Sequence, residues 1–168
     1  NSDNRPAFEV VNAELNWLSA PEVRRYTEEE ATFVEQAKEL SSTDPGGIVN
    51  VPYDGSVFSY GADGAEVMFR SYSSYGDGSE KPDSILVREE LCHVADNKDV
   101  AIAVNRLNAK YVLLLDCGGE GAEGSTLDNG LAKSNGHYFN GVASIDEQTP
   151  GFKLLLAEGD MRFYKITG

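Results

Sequence analysis

Few residues in this chain have types and spacing that chemistry could use. Asp54-Gly55-Ser56 sets a carboxylate and a hydroxyl two residues apart, just after an apolar run that ends in Pro52. Such a pair can hold a sugar hydroxyl or a cation, and it is equally a common turn closed by an Asx-type hydrogen bond. Asp116-Cys117-Gly118-Gly119-Glu120-Gly121 is a second candidate, because a glycine-rich loop after a strand can offer its amides to a phosphate. Neither GxGxxG nor GxxxxGK[ST] occurs there, and Asp116 and Glu120 would repel an anion. A cation held by Asp54, Asp116 and Glu120 lacks the spacing of a calcium loop. Cys117 with His137 is a third candidate, a thiol nucleophile with an imidazole base. A nucleophile elbow needs glycine two residues before the nucleophile, and Leu115 stands there. Tyr53, Phe58, Tyr60, Tyr72 and Tyr75 fall in one region, where aromatic rings can stack on sugars, meet a protein, or pack beneath long loops. The ligand set read from these motifs is Asp54, Ser56, Tyr60, Asp116 and Glu120. No catalytic residue, metal or cofactor is assigned.

Bulk properties narrow the classes. The 168 residues suffice for one domain with a proper core. A formal net charge of −14 argues against nucleic acid or an anionic membrane surface as partner, since phosphate binding needs clustered Lys and Arg. No segment reaches the roughly 20 apolar residues that span a bilayer. Two cysteines, Cys92 and Cys117, and two histidines, His93 and His137, show no zinc spacing and no CxxC. Asn1 begins the chain without a leader pattern, which suggests a cut or processed chain.

The elements that must position these residues centre on residues 100–121, VAIAVNRLNAKYVLLLDCGGEG. The run Tyr111 to Leu115 reads as a strand covered on both faces. Asn97 can cap the helix before it, Lys98 to about Leu107, and a short connection turns the chain back along that helix. Upstream, Thr27-Glu28-Glu29-Glu30 is a capping box opening a helix from Glu28 to about Leu40. Gly47 to Val51 reads as a short buried strand and Glu66 to Arg70 as another. Asp83 can cap a helix from Ser84 to about His93. Residues 118–141 are glycine-rich and irregular, with room for one short helix at 126–132. Phe152 to Ala157 and Met161 to Ile166 form a hairpin around Glu158-Gly159-Asp160. The expected fold is α/β in three layers, with a small, mostly parallel sheet flanked by helices and a C-terminal antiparallel β-hairpin. Residues 1–21 read as a helical connector and 22–168 as a single domain.

One ordered set of features carries a family likeness. It comprises the capped helix before Ile48-Val49-Asn50-Val51-Pro52, then Asp54-Gly55-Ser56 with Tyr60, then the helix running into Leu107-Asn108-Ala109-Lys110-Tyr111-Val112-Leu113. It closes with Thr149-Pro150-Gly151-Phe152-Lys153, Gly159-Asp160-Met161 and Phe163-Tyr164-Lys165-Ile166. This order resembles the C-terminal extracytoplasmic domain of bacterial, mainly actinobacterial, polytopic membrane proteins similar to GT-C glycosyltransferases, which use lipid-linked sugars. The likeness runs from about Tyr26 to Ile166. It implies that the catalytic acid belongs to a membrane portion outside this chain, and that residues 1–21 lead out of the last membrane helix.

The resemblance therefore implies a non-catalytic domain on the extracytoplasmic face of the cell membrane. Its partner would be the membrane-embedded portion of its own parent chain, and its ligand a glycan or lipid-linked sugar. The fragment itself would not insert in the bilayer. Two alternatives stand beside it: a free-standing cysteine hydrolase using Cys117, His137 and Asp116, and a protein-interaction module with a tyrosine-rich surface. Helix and strand lengths place Cys117 near the start of the helix that follows Cys92. An extracytoplasmic setting would permit a Cys92–Cys117 disulfide, and paired and free thiols both remain open.

Overall fold

A computed structural model describes residues 27–54, 56, 64–70, 75–115 and 136–168. The expected connector at 1–21, the short helix at 126–132, and Tyr60, Asp116, Cys117 and Glu120 all lie outside the described residues.

Helix α1 spans Glu28–Ser41. Its capping box forms as the sequence predicts: the Thr27 hydroxyl accepts from the Glu30 amide at 3.2 Å, and the Glu30 carboxylate accepts from the Thr27 amide at 2.8 Å. Strand β1 spans Gly47–Asn50 and is followed by a 3-10 turn at Pro52–Asp54. Helix α2 spans Pro82–Glu90 and continues as a 3-10 turn, Leu91–His93. Asp83 does not cap it. Lys81 occupies the N-cap without a side-chain bond. Pro82, whose fixed φ suits the first helical position, starts the helix earlier than expected.

Helix α3 spans Lys98–Arg106, with the Asn97 side chain accepting from the amides of Asp99 and Val100. Its chain reverses at Asn108, the one non-glycine residue with positive φ (52°) among the described residues. Asn tolerates that left-handed conformation better than most residues. Strand β2, Ala109–Leu114, follows at once. A 3-10 turn at Gly136–Phe139 leads into the single turn α4, Asn140–Ala143. The hairpin of β3, Phe152–Glu158, and β4, Met161–Ile166, closes the chain.

The four strands form one mixed sheet in the order β1-β2-β4-β3. β1 pairs parallel with β2, whereas β2–β4 and β3–β4 are antiparallel. The expectation of a mostly parallel sheet is corrected here: the hairpin inserts β4 beside β2, so two of the three pairings are antiparallel. The expected strand at 66–70 reduces to one parallel bridge, Val67 to Ile48. Beyond that bridge the Asn50 side chain replaces the ladder. Its Oδ1 accepts from the Phe69 amide and its Nδ2 donates to the Phe69 carbonyl, both at 2.8 Å, as a backbone peptide group would.

Successive residues of β2 feed two cores. Val112 and Leu114 join α2, α3 and α4 through Val87, Val100, Ala103 and Val142. Tyr111, Leu113 and Leu115 join α1 through Phe33, Val34 and Ala37. All five residues from Tyr111 to Leu115 are at least 98% buried. At about 1.5–3 kcal/mol per large apolar side chain, this one strand supplies a large part of the driving force.

The α2–α4 contact is backbone against backbone. A Cβ on Gly141 would run into the main chain at Glu89 and Glu90. Gly141→Ala should therefore lower stability by about 3 kcal/mol in a urea melt. A loss below about 0.5 kcal/mol would show that the two helices have room to separate.

Candidate functional site

The sequence places Asp54 where β1 has just ended. Pro52 has no amide to extend the ladder, so the chain folds into the 3-10 turn, with the Asp54 amide donating to the Val51 carbonyl at 3.2 Å. This turn lies beyond the carboxyl ends of the parallel pair β1–β2, the edge where ligands of open α/β sheets sit.

Asp54 and Ser56 do come together, and both are fully buried. The Ser56 amide donates to Asp54 Oδ1 at 2.9 Å, the Asx-type turn that the motif allows. The Leu115 amide donates to Asp54 Oδ2, also at 2.9 Å and from 61 residues away. The Ser56 hydroxyl donates to the Val51 carbonyl at 3.0 Å and accepts from Asn50 Nδ2 at 2.8 Å. A continuous polar chain thus runs from Phe69 through Asn50, Ser56 and Asp54 to Leu115. It fastens the ends of β1 and β2 and the segment at Phe69 to one another.

Burial pushes the Asp54 carboxyl up to about 7, and the charge of Glu30 adds to the rise. The hydrogen bonds from Ser56 and Leu115 pull it back only in part. Glu30 is itself buried, in the first turn of α1. An acid in this position suits proton exchange or the holding of loops. Full burial keeps it from touching a solute directly.

Sequence reasoning missed a buried basic group. Arg88 of α2 is 1% exposed. Its guanidinium makes a two-pronged pair with Glu80, Nε to Oε2 at 2.8 Å and Nη2 to Oε1 at 2.6 Å. Nη1 donates to the Tyr138 carbonyl at 3.0 Å and to Glu89 Oε1 at 3.2 Å. The rings of Tyr75 and Tyr138 lie 5.7 and 5.2 Å from the guanidinium carbon. The pair with Arg88 holds the Glu80 carboxyl below its usual range. The only signal in the sequence was an arginine beside Val87 in the expected helix from Ser84 to about His93.

The tyrosine cluster divides. Tyr53 is buried, and Tyr75 packs against the core. The Phe139 ring meets the Tyr53, Phe69 and Tyr75 rings edge-on, at centroid distances of 5.7, 5.0 and 4.9 Å. Phe58, Tyr60 and Tyr72 lie outside the described residues. So does Cys117, and with it both the Cys92–Cys117 and the Cys117–His137 pairings. Cys92 is half-buried and makes no disulfide among the described residues. Among those residues no group of three or more His, Cys, Asp or Glu could hold a metal ion.

The sequence matches a family of unknown function, DUF6541, over residues 7–168. The chain belongs to that family. No protein of curated function matches it. Among solved structures it is similar to the C-terminal globular domain of the oligosaccharyltransferase from Archaeoglobus fulgidus. The superposition has a TM-score of 0.51 at 14% identity, and covers 84% of this chain and 99% of that domain. At such identity the likeness establishes a shared fold. Among the described residues of the DUF6541 chain, no helix is long and apolar enough to cross a membrane.

Two outcomes follow from the buried charges. The raised Asp54 carboxyl makes the native state bind a proton that the unfolded chain releases above about 4. Its contribution is full below that value and is lost as pH rises through about 7. Compared with Asp54→Asn, the wild type should lose about 2–3 kcal/mol between pH 5 and pH 8 in parallel urea melts. Parallel profiles for the two proteins would contradict the assignment. Arg88→Met, which takes the ion-pair partner from Glu80, should cost about 3 kcal/mol at pH 7. A neutral effect would mean that the pair carries no net stability.

Proposed function

We propose that this chain is a non-catalytic domain on the extracytoplasmic face of a multi-span membrane protein, where it assists recognition of a glycan or lipid-linked sugar. The observation that carries the reading is the shared fold with the C-terminal globular domain of an oligosaccharyltransferase, which spans nearly all of that domain. Fold likeness alone is a weak warrant for activity, so the reading assigns the chemistry to a membrane portion of the same polypeptide. The buried polar chain around Asp54 agrees with a holding role, because the carboxylate faces backbone amides. Residues 55–63 and 116–135 both follow directly from this network, and they carry Tyr60, Asp116 and Glu120 of the proposed ligand set. In this setting Asp54 and Ser56 position and the other three touch ligand. Cys92 and Cys117 are proposed to pair by a disulfide, which an oxidising compartment permits.

Reporter fusions test the placement. Alkaline phosphatase joined after residue 168 in the native gene product should be active, and a green fluorescent protein joined there should be dark. The reverse pattern would put the domain in the cytoplasm and end the proposal. A glycan microarray probed with the 168-residue chain should show selective binding. A blank array across neutral and anionic glycans would remove the recognition role.

A further inference from the structure

The N-terminal end of β2, opposite Asp54, holds a basic corner in an acidic chain. Lys110 is the second residue of β2, Lys165 of β4 pairs with Tyr111, and Lys153 of β3 pairs with Lys165. Like charges placed directly opposite across strands destabilise a sheet. Lys153 has no ion pair among the described residues to offset this. Asp44 bridges the other two: Lys110 Nζ donates to its Oδ1, and Lys165 Nζ lies 3.4 Å from its Oδ2. The Asp44 carbonyl accepts from the Tyr111 hydroxyl at 2.7 Å, which fixes the loop that carries it. The bond from Lys110 holds the Asp44 carboxyl below its usual range. One carboxylate therefore bridges two ammonium groups, and a third lysine, Lys153, sits across the register from Lys165.

Beside this corner lies a cavity of about 280 Å³, between the end of α3 and the ends of β2 and β4. Its walls include Asn105, Asn108 and Thr167, which can donate to and accept from hydroxyls, and Val104 and Ile166, which offer apolar surface. Lys110, Lys165 and Asp44 also line it. The side chains of these three charged residues are 33%, 40% and 42% exposed, so solutes can reach them. The volume lies just below the ~300–1,000 Å³ usual for ligand pockets, room for one small molecule.

Neutral hydrogen-bonding groups, an apolar wall and surplus ammonium charge together match a small polyol that carries an anion. We propose that this corner binds a monosaccharide bearing one oxyanion, a phosphate or a carboxylate. The inference rests on the glycan-recognition reading and adds a second site at the opposite end of the sheet. The ring hydroxyls meet Asn105, Asn108 and Thr167. The oxyanion meets Lys110 and Lys165. Asp44 occupies the place of the ligand's anion in the empty domain, so it competes with ligand rather than holding it.

Backbone NMR of the 168-residue chain tests this, with glucose 1-phosphate, glucuronate, glucose and inorganic phosphate as probes. At least one of the two anionic sugars should shift the amides of 108–110 and 165–167. Which of the two does so distinguishes phosphate from carboxylate. The shift should weaken at 0.5 M salt and exceed that from glucose or inorganic phosphate about tenfold in affinity. Asp44→Asn should bind about 3–10-fold tighter, and Lys165→Ala about tenfold weaker with the remaining spectrum unchanged. Equal binding of inorganic phosphate would reduce the corner to a general ion patch and overturn the proposal. Sugar-induced shifts elsewhere, insensitive to Lys165→Ala, would overturn this site and leave glycan recognition standing. No response to any sugar would remove both.

Discussion

A carboxylate buried away from water has to be hydrogen-bonded or neutral, and Asp54 shows how much structure that requirement organises. Its two oxygens accept amides from Ser56, two residues on, and from Leu115, in the chain leaving β2. The same serine ties back to Asn50, and Asn50 takes over both backbone groups of Phe69. Removing any member leaves a neighbour buried and unsatisfied, which is what makes such networks specific. Three chain segments are thus tied to one another by polar contacts at the carboxyl edge of the parallel strands.

The rest of the fold is built to hold that edge still. β2 lies inside the sheet with a core on each face, and so presents Leu115 at a fixed height. Arg88 performs the matching task on the α2 side, gathering Glu80, Tyr75 and Tyr138 around one guanidinium. The two arrangements differ in chemistry. Asp54 is a buried acid held by amides, and burial outweighs those bonds, so its proton affinity rises. Arg88 satisfies a buried base with a carboxylate, so charge is kept on both partners. The DUF6541 chain carries both within one sheet-and-helix scaffold.

What could be read from the sequence was local. The Thr27–Glu30 box, the Asn97 cap and the hairpin at Gly159 each depend on residues within three or four positions, and all are present. The YVLLL run announced a strand buried on both faces because only such a strand tolerates unbroken apolar residues. Strand direction was not legible beyond the hairpin, since periodicity carries no information about the partner; β4 of the expected hairpin lies antiparallel to β2, so the sheet is mixed and not mostly parallel. The run at 66–70 looked like a strand, and only the Asn50 side chain, 19 residues away, shows why its ladder stops. Asp54-Gly55-Ser56 was readable as a turn. Its burial and the bond to Leu115 were not, because they depend on a contact 61 residues off. The basic corner was hidden for the same reason: Lys153 meets Lys165 only through strand register, and Lys110 meets Lys165 only through the bridging Asp44.

Hydrogen exchange at the Leu115 amide is the most direct measure of whether Asp54 holds the two strand ends together. In the wild type at pH 6 that amide should exchange as slowly as those of Val112 to Leu114. In Asp54→Ala it should become fast while Val112 to Leu114 remain protected, because the bond is lost and the sheet is kept. If Leu115 stays protected in the variant, its amide has another acceptor, and Asp54 is not the anchor of this edge.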